Sequence, residues 1–126
     1  MSKTLLLIDS DDEALELGKT ILENVGYEVL ATADSSLALT WWRDQKPALV
    51  MFNPHLHLRD GHTLHNVARG DPSLRLPKLA YLVPAGEFAQ FKQEFGIPAS
   101  LVLTKPFEFA ELVNRVQLLV GPAYDD

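Results

Sequence analysis

A small set of side chains in this 126-residue chain could do chemistry. Four histidines, His55, His57, His62 and His65, fall within eleven residues of one another. Neutral imidazole nitrogens suit Zn2+, Ni2+ or Cu2+. His55 and His57 could converge from a loop, and His62 and His65, three apart, would share one face of a helix. The tract has no cysteine and no recognised ligand spacing, so four exposed polar side chains on a loop and its helix are the plainer expectation. Other polar groups stand where apolar runs stop: Asp9 after Leu5–Ile8, Asn53 after Ala48–Phe52, and Lys105 shortly after Leu101–Leu103. A carboxylate can act as a nucleophile or a hard oxygen ligand. Asn53 is a neutral amide; it can donate and accept hydrogen bonds but has no anionic oxygen with which to attack. Ser10-Asp11-Asp12-Glu13 has the Ser-x-x-Glu form of a capping box, so these residues are expected to serve a helix start rather than a metal.

The elements that must position these groups follow from hydrophobic spacing. Leu5–Ile8 reads as a buried parallel strand. Helical spacing from Glu13 to Asn24 places Leu15, Ile21 and Leu22 on one face, and Gly26 stops it. Tyr27–Ala33 is a second strand. Asp34 or Ser35 caps a helix that runs through Trp41 and Trp42 and ends before Pro47. Ala48–Phe52 is a third strand, the loop Asn53–Gly61 follows, and a helix is expected near His62–Arg69. Leu79–Val83 is a fourth strand, Pro84-Ala85-Gly86 opens a helix to Phe95, Leu101–Leu103 is a fifth strand, and Glu108–Val120 a last helix. Strand and helix alternate five times through short connections. The pattern predicts a doubly wound α/β fold of the flavodoxin-like (βα)5 kind, with helices on both faces of a parallel sheet. The domain is expected to span residues 1–121, with residues 122–126 a C-terminal tail. In such sheets ligand chemistry lies outside the carboxyl ends of the strands.

Composition bounds the function. A formal charge of −6 argues against sequence-independent nucleic-acid binding, which needs a basic surface. Without cysteine there is neither disulfide nor thiol chemistry. The apolar run near the N-terminus is too short for a signal peptide or a membrane span, and a cytoplasmic location is the expectation.

Three segments at the strand ends carry a family likeness. They are Leu6-Leu7-Ile8-Asp9-Ser10-Asp11, Pro47-Ala48-Leu49-Val50-Met51-Phe52-Asn53 with Asp60-Gly61 beyond it, and Leu103-Thr104-Lys105-Pro106-Phe107. In order and spacing the chain resembles the receiver domain of two-component response regulators over residues ~4–120. The resemblance implies a five-stranded sheet of order 2-1-3-4-5. It also implies a site in which an acidic pair holds Mg2+, an aspartate accepts phosphate, a hydroxyl and an aromatic respond, and a lysine contacts the phosphoryl group.

The departures from that pattern shape the functional expectation. Asn53 replaces the phosphoacceptor and cannot become an acyl phosphate. Ser10 replaces one acid of the pair, so Mg2+ is expected to bind weakly or not at all, with Asp9 and Asp11 the weak candidates. Leu82 or Val83 stands at the hydroxyl position and Val102 at the aromatic one. Asp9, Lys105 and Pro106 remain, and Lys105 is expected to pair with Asp9. The reading is a stand-alone, non-catalytic pseudo-receiver, acting as a phosphorylation-independent interaction module of a bacterial two-component or motility pathway. The alternatives are phosphotransfer through another carboxylate, such as Asp9 or Asp60, and a histidine-based metal binder.

Two apolar features complete the reading. Phe88, Phe91 and Phe95 recur at helical spacing, with core packing their first expectation. Trp41 and Trp42 point about 100° apart on a helix, so at least one is expected to be only partly buried. By the resemblance, partners meet the fourth helix, fifth strand and fifth helix, through Glu87, Gln90, Lys92, Glu94 and Arg115. Expected partners are proteins: a histidine kinase, a motility or signalling protein, or a second copy of the chain, with neither nucleic acid nor membrane.

Overall fold

The structure, a computed structural model, describes residues 2–58, 60–74 and 78–124. Five parallel strands, β1 (Thr4–Ile8), β2 (Glu28–Thr32), β3 (Leu49–Phe52), β4 (Lys78–Pro84) and β5 (Val102–Lys105), form one sheet in the order β2-β1-β3-β4-β5. The helices between and after them are α1 (Asp12–Asn24), α2 (Ser35–Asp44), α3 (Leu64–Gly70), α4 (Phe88–Phe95) and α5 (Phe109–Val120). The expected architecture and strand order are both present. The central strands β1 and β3 are buried on both faces, which is why they read as unbroken apolar runs rather than alternating ones.

Alternate residues of each strand feed opposite layers. Leu5, Leu7, Leu49, Met51, Ala80, Leu82 and Leu103 face α1 and α5. Leu6, Ile8, Val50 and Phe52 face α2 and α3. Val83 and Val102 join Phe91 and Ile97 in a smaller cluster under α4. Helix α1 lies close on the sheet because residue 18 is glycine: a Cβ there would sit 2.8 Å from Leu7 and 3.2 Å from the Phe107 ring. Trp42 is buried and its indole N–H donates to the Leu74 carbonyl at 3.1 Å, satisfying its polar atom. Its neighbour Trp41 is half-buried, as their angular separation requires.

Several boundaries differ from the sequence reading, and caps explain them. The N-cap of α1 is Asp11, whose carboxylate accepts from the Ala14 amide at 3.2 Å; Ser10 lies outside the helix, so the capping-box register is one residue off. Thr63 caps α3 through the Asn66 amide, so that helix begins at Leu64. His62 therefore precedes the helix and does not share a helical face with His65. Residues 122–124, expected to trail from the domain, pack back on it. Ala123 is buried, its carbonyl accepts from the Lys3 amide at 2.7 Å, and Tyr124 bridges to Ser2. Asp125 and Asp126, the end of the expected acidic tail, lie outside the described residues.

Candidate functional site

The polar groups at the strand ends meet on the α1/α5 side of the sheet. In register, Ile8 lies beside Phe52 and Phe52 beside Tyr81, so Asp9, Asn53 and Leu82 follow in line one residue later. Asp9 is fully buried. A charge buried so completely must be paired. Lys105 reaches it from the end of β5, with Nζ 2.6 Å from Oδ2 and its side chain only 11% exposed. The other carboxylate oxygen, Oδ1, accepts from the side-chain amide of Asn53 at 3.3 Å. Asp11, the cap of α1, places Oδ2 3.7 Å from the same ammonium.

Asn53 is held at both ends. Its Nδ2 donates to Asp9, and its Oδ1 accepts from the backbone N–H of His55 at 2.9 Å. The second contact is an Asx turn, with Pro54 at the bend, of the kind Asn forms readily with its own chain two residues on. The sequence reading missed it, although Asn53-Pro54-His55 is a legible signal for such a turn. An aspartate at this position could accept from His55 but could not donate to Asp9; it would set two carboxylates against each other.

Of the two residues expected at the hydroxyl position, Leu82 faces the same layer as Met51 and Leu103, while Val83 turns to the α4 side. Leu82 is fully buried and apolar. Val102 fills space beside Val83, Phe91 and Ile97. Beside the Lys105–Asp9 pair is an open cleft of about 310 Å3, lined by Asp11, Glu13, Ala14, Leu17, Pro84, Lys105, Pro106 and Phe107.

The groups at the family's Mg2+ position are engaged with one another. Both oxygens of Asp9 are engaged, one of them by a cation, and Asp11 serves the α1 start and leans on the same lysine. A hard dication needs several free oxygens at short range. Among the described residues, no three His, Asp or Glu side chains form a group that could hold a metal ion.

The four histidines do not converge: His55 and His65 both meet the Phe95 ring, while His57 and His62 are exposed. His55 packs on Phe91 and Phe95 of α4, with ring centroids 4.6 and 5.0 Å away, and its Nε2 meets Glu94 at 3.1 Å. His57 is exposed and bridges to Thr63 through the backbone. His62 is exposed and contacts Asp60 at 3.1 Å. The hydrogen bonds from His62 hold the Asp60 carboxyl below the usual carboxylate range. His65 departs from the expectation of four exposed side chains: it is 5% exposed, packed against Phe95 and Tyr81. The phenylalanine stripe does pack inward, with Phe91 buried and Phe88 and Phe95 partly so.

The five residues expected to form an interaction face are not equivalent. Glu87, Gln90 and Lys92 are exposed on and before α4. Glu94 is engaged by His55. Arg115 is half-buried, and its guanidinium donates to the Ala99 and Ser100 carbonyls at 3.2 Å each, tying α5 to the turn before β5.

Residues 5–117 match the model of the response regulator receiver domain. The chain belongs to this family. Among curated relatives, the receiver is 29% identical over 116 residues to the DNA-binding dual master transcriptional regulator RpaA of Synechocystis sp., covering 92% of this chain and 48% of that one. It is 28% identical to the phosphate regulon transcriptional regulatory protein PhoB of Pseudomonas aeruginosa, covering 95% of this chain and 52% of that one. The chain thus spans about half the length of these relatives. A crystal structure from Chloroflexus aurantiacus, described as a response regulator, superposes with a TM-score of 0.79 at 28% identity, covering 95% of this chain and 98% of that one. The receiver domain of a sensor histidine kinase from Pseudomonas aeruginosa, with a magnesium ion coordinated in its active-site cleft, shares the fold with a TM-score of 0.77 at 22% identity, covering 96% and 99%. No helix among the described residues is long and apolar enough to cross a membrane.

Proposed function

We propose that this receiver takes no phosphoryl group at position 53 and works as a phosphorylation-independent protein-interaction module in a bacterial two-component or motility pathway. The observation that carries the reading is the double engagement of Asn53, its nitrogen on Asp9 and its oxygen on the His55 amide. An amide nitrogen delocalised into its carbonyl is not a nucleophile for phosphoryl transfer, which needs an anionic oxygen. The Lys105 ammonium, which the family resemblance assigns to the phosphoryl group, is bound to Asp9 instead. Leu82 offers no hydroxyl to a phosphoryl oxygen. The pocket is a closed set of polar groups that satisfy one another.

The alternative carboxylates are poorly placed for the same chemistry. Asp9 is fully buried with both oxygens engaged. Asp60 is 63% exposed beside His62, on the loop beyond β3. Binding is assigned to the α4–β5–α5 surface, where Glu87, Gln90 and Lys92 face solvent. One of the structural relatives is the receiver domain of a sensor histidine kinase, and a kinase is one protein partner to test. The DNA binding named for one curated relative belongs to a protein about twice as long as the matched region.

The test is intact-mass spectrometry after incubation with acetyl phosphate and Mg2+. The expected result is unmodified protein. A stoichiometric phosphate adduct, mapped by peptide analysis to Asp9, Asp60 or any other side chain, would overturn the reading.

A further inference from the structure

Helix α4 is held differently from the other helices. Of its eight residues only Phe91 is buried, whereas each other α-helix buries at least three; like α5, it has no side-chain cap at its N-terminus. Its grip on the rest of the fold is aromatic. Phe95 sits between two imidazoles, His65 at 4.7 Å and His55 at 5.0 Å, and Phe91 meets His55 at 4.6 Å. His65 belongs to α3, is 5% exposed, and also contacts Tyr81 of β4 at 5.8 Å. Its Nδ1 is buried with no hydrogen-bond partner among the described residues.

We infer that His65 is a proton-operated latch: neutral, it seats α4 on the sheet, and protonated, it releases α4. An imidazolium at this place would face Phe95 from α4 and Tyr81 from β4, with Arg69 one turn along its own helix. Neither ring that packs on it, Phe95 or Tyr81, carries a carboxylate to balance the charge. Ring faces return less than water does to a buried cation. Burial first, and the Arg69 charge second, hold the His65 imidazole below its ordinary range, in keeping with this geometry.

Two helices could move to hydrate His65. Helix α3 is anchored by Leu64 and Ala68 in the large cluster with Trp42 and Phe52, so α4, held by Phe91 and the imidazole contacts, is the one that yields. His55 meets Glu94 of α4 across 3.1 Å. That pair is 41% and 46% exposed, and exposed pairs are weak and screened. The buried imidazole therefore sets the sign. Since the partner surface proposed above includes α4, the latch would make partner binding weaken in acid; that consequence rests on the proposed function, whereas the latch itself does not.

The sign follows from linkage. The closed state holds His65 with a lowered proton affinity, so the open state binds more protons, and opening is favoured as pH falls below about 6.5, roughly tenfold per pH unit until the closed form itself titrates. The experiment is hydrogen–deuterium exchange on the whole chain at pH 7.5 and 5.5, corrected for intrinsic rates, with no partner and no phosphodonor. Its outcome is therefore independent of the phosphorylation test. The protection of α4 amides relative to β1 and β3 should drop between the two conditions, by up to about tenfold. His65→Phe should abolish the drop, and His55→Phe should leave it in place. Equal relative protection at both pH values, or an undiminished drop in His65→Phe, overturns the latch; so does a drop lost only in His55→Phe. Should His65→Phe not fold, an NMR titration of the wild-type protein decides. The His65 ring and the α4 amides must shift with one midpoint, and a ring that titrates while the α4 amides stay still refutes the proposal.

Discussion

The pocket at the strand ends and the seat of α4 are both built from polar side chains inside an apolar sheet, and they handle that burden in opposite ways. In the pocket every buried group has a partner: Lys105 and Asn53 take the two oxygens of Asp9, and the His55 amide takes the oxygen of Asn53. At the α4 seat a buried imidazole nitrogen has none among the described residues, and the neighbouring ion pair is exposed. A satisfied network in a low-dielectric site is rigid and specific; a partly satisfied one is where a structure changes state. The contrast places rigidity where receivers carry their chemistry, and adaptability in a helix of the proposed contact surface.

The comparison can be broken most forcefully at Lys105. Lys105→Ala leaves the Asp9 carboxylate buried without its cation, and loss of one partner from a buried pair costs about 3–5 kcal/mol. Urea unfolding should show that loss, while partner binding through α4 changes little at concentrations where the fold persists. A Lys105 variant that folds well but loses binding would return function to the pocket. The next effect is smaller. Asn53→Asp exchanges a hydrogen bond to Asp9 for a like-charge contact, and leaving such a site unsatisfied costs about 1–3 kcal/mol. The melting temperature should fall and recover in part with Mg2+, more so when Ser10→Asp is added.

How much of this contrast could be read in the chain differs between its halves. The apolar runs that stop at Asp9, Asn53 and Thr104-Lys105 announce buried parallel strands, and the carboxyl-end rule then brings Asp9, Asn53 and Lys105 together. The Asp9–Lys105 pair was legible through the receiver resemblance, which sets those two groups at one site. Helix starts were less so, because Ser10, Asp11 and Asp12 all favour an N-terminus and the choice of Asp11 is made by local geometry. Burial of His65 was not legible. Its setting depends on Phe95 and Tyr81, thirty and sixteen residues away, arriving from α4 and β4. Spacing within His62–Arg69 carries no trace of those neighbours, and it suggested a shared face with His62 that the Thr63 cap removes.

Smaller effects sharpen the α4 side. His55→Ala removes ring contacts to Phe91 and Phe95 and an exposed pair with Glu94, and should loosen α4 amides selectively at a cost of about 1 kcal/mol or less in global stability. Charge reversal at Glu87 and Lys92 should shift stability by under ~0.5 kcal/mol, as surface changes usually do, while weakening capture of a protein partner. Binding that survives both reversals would move the contact surface elsewhere.

The central claim is that the amide of Asn53 closes the pocket against a divalent cation and hence against phosphoryl chemistry. A Mg2+ titration followed by NMR, reading the side-chain NH2 of Asn53 and the backbone N–H of His55, addresses it directly. Both signals should stay in place, with no saturable shift below about 1 mM, because no free pair of oxygens awaits the ion. A saturable displacement of the Asn53 NH2 at sub-millimolar Mg2+ would show that the ion breaks the Asn53–Asp9 bond, and would contradict the account.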